Sequence, residues 1–259
     1  MHVDRLARAC LRCCCCYAAD VHGNPGPVGH HVLRIGSPNP HSAVNKTDLI
    51  LNCIDEHRLD IPAATESYVK SDHPTTIKND PAPPGHSIHH VHRQCNMKTM
   101  GGDIALITRE SLRVRQFNIT EKFESSEISA VRLTIRTGRL NFFTIYRPLR
   151  YPGFYEDFPN FLHEVIMLPC GLYIRGDMNR PSKIKGQVDE KMHQIINAYN
   201  LVQHIQGSTH KRDGLLDLVI ASPLNSEVTS THIEDPGISD HSVVVVTLVA
   251  ARPRPRCET

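Results

Sequence analysis

Acidic and amide side chains stand at the ends of predicted strands, where a folded sheet could present them together. Gly176-Asp177-Met178-Asn179 follows the apolar stretch Leu172–Ile174, one residue beyond it. Because strand side chains alternate, Asp177 and Asn179 are expected on the same side, at the carboxyl end of the strand. A carboxylate and an amide in that position could face one phosphate or one metal ion. An Asx turn that leaves the strand is the structural alternative.

A second candidate group, Ser239-Asp240-His241, precedes the most apolar predicted strand, Val243–Val249. An acid and an imidazole on a loop at a sheet end suit proton transfer, since histidine titrates closest to neutral pH. Because the chain holds 17 histidines, a hydrogen-bonded turn beside a surface histidine is an equally open interpretation.

One carboxylate, Asp217, interrupts the apolar run of the predicted strand Leu216–Ala221. A buried carboxylate is costly unless it is paired, so Asp217 needs a partner. His241 could be the hydrogen-bond partner of this carboxylate. Asp217 would then orient the imidazole, as the acid of a catalytic triad orients its histidine base. A structural salt bridge to an arginine or lysine is the alternative.

Two further strand ends carry polar groups. Glu66 follows the predicted strand Leu59–Thr65, where its carboxylate could bind a hard cation such as Mg²⁺. Tyr146 and Arg147 end the predicted strand Leu140–Tyr146 and could offer a phenol and a guanidinium to a phosphate. A solvated glutamate, an interface tyrosine and a loop arginine are the alternatives.

The composition indicates a globular chain in which any nucleic-acid groove is local. At 259 residues, the chain can bury a sizeable core in one large or two small domains. Hydrophobic residues at 40% and charged residues at 22% argue against wholesale disorder and against a coiled coil. Tryptophan is absent and aromatics are 5%, which excludes base stacking as the main binding device. The formal net charge of +2 confines a counterion-releasing groove to one part of the surface.

The nine cysteines predict neither a disulfide framework nor a zinc site. Four are consecutive, and the four that follow residue 50 are scattered without C-x-x-C spacing. No apolar run approaches the length of a membrane span and the start lacks a signal-peptide pattern, so a soluble protein in a reducing compartment is expected. A palmitoylated cysteine cluster is the alternative.

Short apolar runs alternate with helical stretches from Val32 onward, without an internal repeat. Ser42 is predicted to cap a helix that ends near Arg58, and a proline-rich loop is predicted over 72–85. Many strands with few, separated helices favour an α/β fold, a four-layer sandwich of two packed mixed β-sheets flanked by helices, over a parallel βαβ array. The remaining predicted helices and strands are Phe154–Met167, Val188–Tyr199, Asp103–Thr108, Glu127–Ile135, Leu172–Arg175 and Leu201–Ile205.

Two terminal segments lack the pattern of a folded core. Residues 1–31 are predicted to be a disordered, cysteine-rich leader, and residues 251–259, in which arginine alternates with proline, a flexible basic tail. The stretch Asp20-Val21-His22-Gly23-Asn24-Pro25-Gly26-Pro27 resembles the ribosome-skipping (2A-like) peptides of viruses and some retrotransposons. That resemblance implies a skipped bond between Gly26 and Pro27; a Pro/Gly turn is the alternative.

The order of these motifs along the chain is more specific than any one of them. From about Leu33 to Val249 the chain resembles the endonuclease/exonuclease/phosphatase superfamily, and it closely resembles the apurinic-like endonuclease domain of LINE-type non-LTR retrotransposons. The resemblance assigns this domain to residues 32–250. Besides the motifs above, it rests on the strings Asn45–Ile50, Gly101–Leu106, Leu201–His204 and Ser208–His210.

The resemblance implies that Glu66 binds a catalytic Mg²⁺ (or Mn²⁺), with Asn39 beside it and Asp240 completing the acidic site. Asp177 and Asn179 would position the nucleophilic water and the scissile phosphate. The implied reaction is metal-assisted, in-line hydrolysis of a phosphodiester.

The same resemblance implies that Asp217 orients His241 and that Tyr146 contacts the scissile phosphate or the leaving oxygen. Thr209 would line the DNA-facing pocket. Ser239 would support the loop that carries His241 and, with Thr209 and Arg147, would bind the substrate.

The resulting interpretation is a Mg²⁺-dependent DNA endonuclease that nicks one strand and derives from a retroelement. Its implied partner is DNA, with no membrane and no obligate protein partner, and its implied location is nuclear, otherwise cytoplasmic. One alternative is another phosphoesterase of the superfamily, acting on a phosphoinositide or on RNA. A second is a catalytically silent, decayed copy, which Pro38, Pro40 and Pro62 favour. An adaptor with a lipidated cysteine cluster is a third.

Overall fold

The computed structural model describes residues 32–93, 102–120, 123–135, 138–149, 153–223, 228–235 and 237–249. The predicted leader with its skipping-like motif and the predicted basic tail lie outside these residues. None of the helices described is long and apolar enough to cross a bilayer.

Strands and helices follow one another in the described residues as β1 (Val32–Ser37), α1 (Thr47–Glu56), β2 (Ile61–Ala64), α2 (Thr75–Asn79), β3 (His86–Val91), β4 (Ile104–Arg109), β5 (Arg113–Gln116), β6 (Glu127–Ile135), β7 (Gly138–Tyr146), α3 (Phe154–Ile166), β8 (Gly171–Asp177), α4 (Glu190–Ala198), β9 (Val202–Gln203), β10 (Asp217–Ala221), β11 (Val228–Glu234) and β12 (Val243–Val249). The strands form two six-stranded sheets, in the orders β11-β12-β1-β2-β4-β3 and β5-β6-β7-β8-β10-β9. Both sheets are mixed, because β1 is parallel to β2 and β7 is parallel to β8.

The apolar faces of the two sheets pack against each other and form the main core. Leu33 and Val246 enter this core from the first sheet, and Phe142 and Ile174 enter it from the second. Helices α3 and α4 add their apolar faces to the same core, whereas α1 packs with β4 and β12 in a smaller cluster. The predicted α/β sandwich of two packed mixed sheets with flanking helices is thus confirmed.

The predicted cap of the first helix is wrong. Helix α1 begins at Thr47 instead of directly after Ser42. The backbone N–H of Ser42 donates to the carbonyl of Glu66, and that of Ala43 donates to the carbonyl of Ser67. Ser42 and Asn45 have positive φ, of +92° and +65°, so a right-handed helix cannot run through this segment, which instead joins two loops together.

The prolines are accommodated without loss of the strands. Pro62 lies within β2, in register with Gly36 of β1. Pairing of β2 with β4 begins one residue later, at Ala63, so the missing N–H of Pro62 falls at the start of that ladder, where it is tolerated. Pro38 and Pro40 follow the end of β1 and so remove no hydrogen bond from the strand.

A buried arginine joins the two sheets. Arg175 of β8 has 1% of its surface exposed, and its Nη1 donates to the carbonyl of Gly36 in β1 at 2.5 Å. Its Nε and Nη2 have no hydrogen-bond partner among the described residues. Burial lowers the pKa of this guanidinium to about 10, against the opposing effects of Tyr173 and Asp217, so Arg175 remains charged at neutral pH.

Gly176 of β8 lies against the backbone of Ile145 in β7. Its φ is +145°, and a Cβ at this position would lie 1.8 Å from the carbonyl oxygen of Ile145. No side chain can be placed there without moving the backbone of β7. Glycine before Asp177 is therefore a packing requirement, because it allows the acid to end its strand directly beside Tyr146.

We expect Gly176→Ala to lower the free energy of unfolding by about 3 kcal/mol or more, because it forces a clash between two central strands. The matched control is Gly138→Ala, at the same φ of +145° but with no atom within 4 Å of the added Cβ. Gly138→Ala is expected to lower the free energy of unfolding by about 1 kcal/mol, because of backbone strain alone. Urea unfolding of both variants measures the difference, and equal losses would contradict the clash.

Candidate active site

The polar residues at the strand ends meet on one side of the sandwich. Tyr146 ends β7, Asp177 ends β8 and Asp217 begins β10, and the strand register aligns all three in a row across the second sheet. Asn39 and Glu66 come from the loops that follow β1 and β2 of the first sheet. Each sheet therefore supplies half of the site.

His241, from the loop before β12, is held between two carboxylates. Its Nδ1 lies 2.9 Å from Oδ2 of Asp217, and its Nε2 lies 3.9 Å from Oδ2 of Asp177. Burial disfavours the charged imidazole, but Asp217, then Asp177 and Glu66, outweigh it and raise the pKa of His241 to about 10. His241 is therefore an imidazolium at neutral pH, with Nδ1 donating to Asp217.

Asp177 is the centre of the hydrogen-bond network. It is fully buried, and its Oδ1 accepts from the backbone N–H of Asn179 at 2.9 Å. Its Oδ2 accepts from Nδ2 of Asn179 and from Nδ2 of Asn39, each at 3.1 Å. Burial, then Asp217 and Glu66, raise the pKa of Asp177 well above its usual range, against the lowering effect of His241. This carboxylate is therefore a stronger base than an exposed one.

Asn39 joins the two halves of the site. Its Nδ2 lies 3.5 Å from Oε1 of Glu66 as well as 3.1 Å from Asp177, and its Oδ1 accepts from the backbone N–H of His41. The carboxylates of Glu66 and Asp177 thus converge on one amide from opposite sheets.

The donor set fits a hard divalent cation. The carboxylates of Glu66, Asp177 and Asp217 are all buried, and those of Glu66 and Asp177 face the amide of Asn39. Carboxylate and amide oxygens are the ligands that Mg²⁺ and Mn²⁺ prefer. Glu66, with Asn39 beside it, is the group that would hold such an ion.

Asp240 occupies a different position from Glu66 and Asn39. Its side chain is 49% exposed, and its Oδ2 lies 3.1 Å from Nε2 of His210. Partial burial raises its pKa, but a hydrogen bond to its own backbone and the nearby His210 and His241 lower it overall. Asp240, His210 and His241 have ligand atoms within 4.8 Å of one another, and metal binding by Asp240 stays a prediction.

Tyr146 presents a protonated phenol to the site. Its side chain is buried, and burial, then Glu66 and Asp177, raise the pKa of the phenol. Tyr146 can therefore act as a hydrogen-bond donor at any pH near neutrality.

Three predicted substrate-contacting residues hold the loops of the site in this structure. Oγ1 of Thr209, fully buried, accepts from the backbone N–H groups of Leu216 and Asp217, each at 3.0 Å. The Ser239 hydroxyl donates to the carbonyl of Asn39 and accepts from the N–H of His241. Arg147 is buried, with Nη1 donating to the carbonyl of Asn179 and the guanidinium over the Phe154 ring. Direct contacts of these residues with a substrate stay predictions.

The loop that carries Glu66 rests on a second polar network. The N–H of Ser67 donates to the carbonyl of Asp103, whose own N–H donates to Oε2 of Glu127 at 2.7 Å. Arg93 pairs with the other oxygen of Glu127. Burial nevertheless raises the pKa of Glu127 to about 7.

Sequence reasoning assigns no role to His41, Tyr68 or His210, which also line the site. Nδ1 of His41 lies 3.0 Å from Oε2 of Glu66, and the hydroxyl of Tyr68 donates to the same oxygen at 3.3 Å. His210 packs edge-on against His241. His41, Glu66 and Tyr68 all have positive φ, a strained conformation that clusters at functional sites.

No family model matches the sequence, and no curated protein matches it. Solved structures do match the fold. The endonuclease domain of TRAS1, a telomere-specific non-LTR retrotransposon, is 17% identical with a TM-score of 0.64, over 85% of this chain and 99% of that one. The AP endonuclease LMAP from Leishmania major is 13% identical with a TM-score of 0.66, over 86% of this chain and 89% of that one.

A third similar structure is the 3'-5' exonuclease NExo from Neisseria meningitidis, 14% identical with a TM-score of 0.60, over 83% of this chain and 98% of that one. These structures are similar to the present chain along nearly their whole lengths. The chain therefore has the two-sheet fold of endonuclease/exonuclease/phosphatase proteins.

Proposed function

We propose that this protein is a divalent-cation-dependent DNA endonuclease that nicks one strand of a duplex. The observation that carries the proposal is the convergence of the His241–Asp217 pair, Asp177 and the Asn39–Glu66 pair on one buried point between the sheets. That arrangement combines a base, a cationic donor and oxygen ligands, as phosphoester hydrolysis requires.

Each side chain has a task that its environment supports. Asp177, a stronger base because of its burial, accepts the proton of the attacking water, and Asn179 fixes the orientation of the carboxylate. Protonated His241 donates from Nε2 to a phosphoryl oxygen while Asp217 holds Nδ1. Tyr146, kept protonated, donates to the phosphate or to the leaving oxygen.

The cation is the second component of the proposal. When bound by Glu66 beside Asn39, Mg²⁺ or Mn²⁺ would stabilise negative charge on the phosphoryl oxygens as a Lewis acid. The buried carboxylate of Glu66 and the amide of Asn39 beside it support this assignment.

DNA as the substrate, an origin in a non-LTR retroelement and a nuclear location rest on the order of the sequence motifs. The similarity in fold to the TRAS1 endonuclease domain supports the first two. The same site chemistry would also suit another phosphoester, so the substrate must be tested directly. The intact contacts of Asn39 and Glu66 argue against a decayed copy, since Pro38, Pro40 and Pro62 leave them in place.

The direct test is the conversion of supercoiled plasmid to relaxed circles by the full chain. We expect relaxed circles in Mg²⁺ or Mn²⁺ and none in EDTA. Hydrolysis of p-nitrophenyl phosphate, a monoester, is measured in parallel to test the phosphatase alternative. A protein that unfolds cooperatively on heating but leaves the plasmid supercoiled with either metal would contradict the proposal.

A further inference from the structure

Two cations share one aromatic ring beside the candidate active site. The guanidinium carbon of Arg180 lies 4.4 Å from the ring centroid of Tyr155, and Nζ of Lys191 lies 4.6 Å from the same centroid. Among the residues that the structure describes, no carboxylate forms an ion pair with Arg180 or Lys191. Two positive charges are thus held together without a fixed counter-charge.

The ring that carries these cations is fixed in place. The Tyr155 hydroxyl donates to Oδ1 of Asp189, which also accepts from the N–H of Met192 and so caps helix α4. The Asp189 carboxylate is therefore hydrogen-bonded at the hydroxyl end of Tyr155. A β-bridge between Pro181 and Val188 closes the loop that leads from Arg180 to α4.

The pair of cations lies next to the residues proposed for catalysis. Arg180 directly follows Asn179, whose amide and backbone both bond to Asp177. The buried guanidinium of Arg147, which donates to the carbonyl of Asn179, has its pKa lowered by burial and then by the charge of Arg180. The pair formed by Arg180 and Lys191 thus borders the site that contains the Asp177 carboxylate. Like charges so close together repel unless an anion lies between them.

We propose that Arg180 and Lys191, supported by Tyr155, bind a backbone phosphate that flanks the scissile phosphate in the DNA strand. The inference rests on the proposed function and deepens it, because a DNA strand carries a second phosphodiester one nucleotide from the first, whereas a simple phosphate monoester does not. Arg180 offers a planar set of N–H donors and Lys191 a mobile point charge, which together suit a phosphodiester oxygen pair. This Arg180–Lys191 pair distinguishes a strand substrate from a small phosphate ester.

Equilibrium binding of a fluorescent DNA duplex in EDTA tests the Arg180–Lys191 pair independently of catalysis. We expect Arg180→Gln combined with Lys191→Met to weaken binding about tenfold and to reduce the slope of log affinity against log salt by about one to two. Arg180→Lys alone, which keeps the charge, should retain most of the affinity and the slope.

The matched control is Arg113→Gln. Arg113 is an exposed arginine on β5, opposite Thr134 of β6, and it lies at the end of the second sheet that is remote from Tyr146. This substitution should leave binding unchanged. The proposal is overturned if the salt slope of the double variant is unchanged, or if Arg113→Gln loses as much affinity for DNA as the double variant does. It is also overturned if the melting temperature of the double variant falls along with its affinity, or if the wild-type protein does not bind DNA. Specific loss of binding together with absent nicking would reject the endonuclease and retain the phosphate site.

Discussion

Asp177→Asn is expected to reduce plasmid nicking by about a thousandfold or more and to leave the protein folded. The asparagine has the same size but cannot accept a proton from water or carry a negative charge for a cation. The rise in melting temperature on addition of Mg²⁺ should shrink for the same reason, since bound ligand stabilises only the folded state. Both the nicking rate and the Mg²⁺-dependent melting shift are measured.

The matched control is Asp60→Asn, a buried carboxylate before β2, at the other end of that strand from Glu66. Asp60 pairs with Arg109 and accepts from the N–H of Arg34. Its substitution should lower stability but leave the nicking rate and the Mg²⁺ effect intact below the melting temperature. A folded Asp177→Asn protein that nicks at the wild-type rate would show that another group is the base.

His241→Gln is expected to reduce nicking by about a hundredfold to ten-thousandfold and to change how stability depends on pH. The folded-state pKa of His241 is about 10, above the ordinary value of 6.5. Its contribution to stability is therefore fully present below about pH 6.5 and is lost as the pH rises through about 10. In EDTA the wild type should exceed the variant by a few kcal/mol at low pH, and the difference should shrink towards about pH 11.

Urea unfolding of both proteins between about pH 6 and pH 11 measures this difference. The control is His232→Gln, an exposed histidine on β11, which should give a small difference at every pH. A wild-type advantage for His241 that stays constant across the range would show that the imidazole is not held in its charged form by Asp217 and Asp177.

The central strands are predictable from the sequence, whereas most edge strands are not. β7 and β12 are buried along most of their length, so their apolar runs stand out. β3, β5 and β11, which the pattern does not predict, each lie at a sheet edge, pair on one side only and are largely exposed or half-buried. Their polar composition reflects this position and hides the strand.

Some residues of the candidate site are likewise predictable from the sequence, and others are not. Asp177, Asp217 and His241 are predictable because they follow or interrupt apolar strands, where a polar residue is conspicuous. His41 and Tyr68 are two residues beyond Asn39 and Glu66, on turns with positive φ that no periodic pattern encodes. The sequence also does not predict that Thr209 and Arg147 point inward and bond to loop backbone. Those bonds depend on which backbone groups lack a partner, and only the folded structure determines this.

The bond from Arg175 to Gly36 bears on how the protein can move. It connects a strand that delivers Asp177 with the strand that leads to Asn39, and it lies in the dry interior between the sheets. Sliding one sheet over the other would deprive the buried Arg175 guanidinium of its hydrogen-bond acceptor, which is costly where no water can replace it. The distance between the two halves of the site is therefore set before any ligand arrives, and closure around a substrate must come from the loops above the sheets.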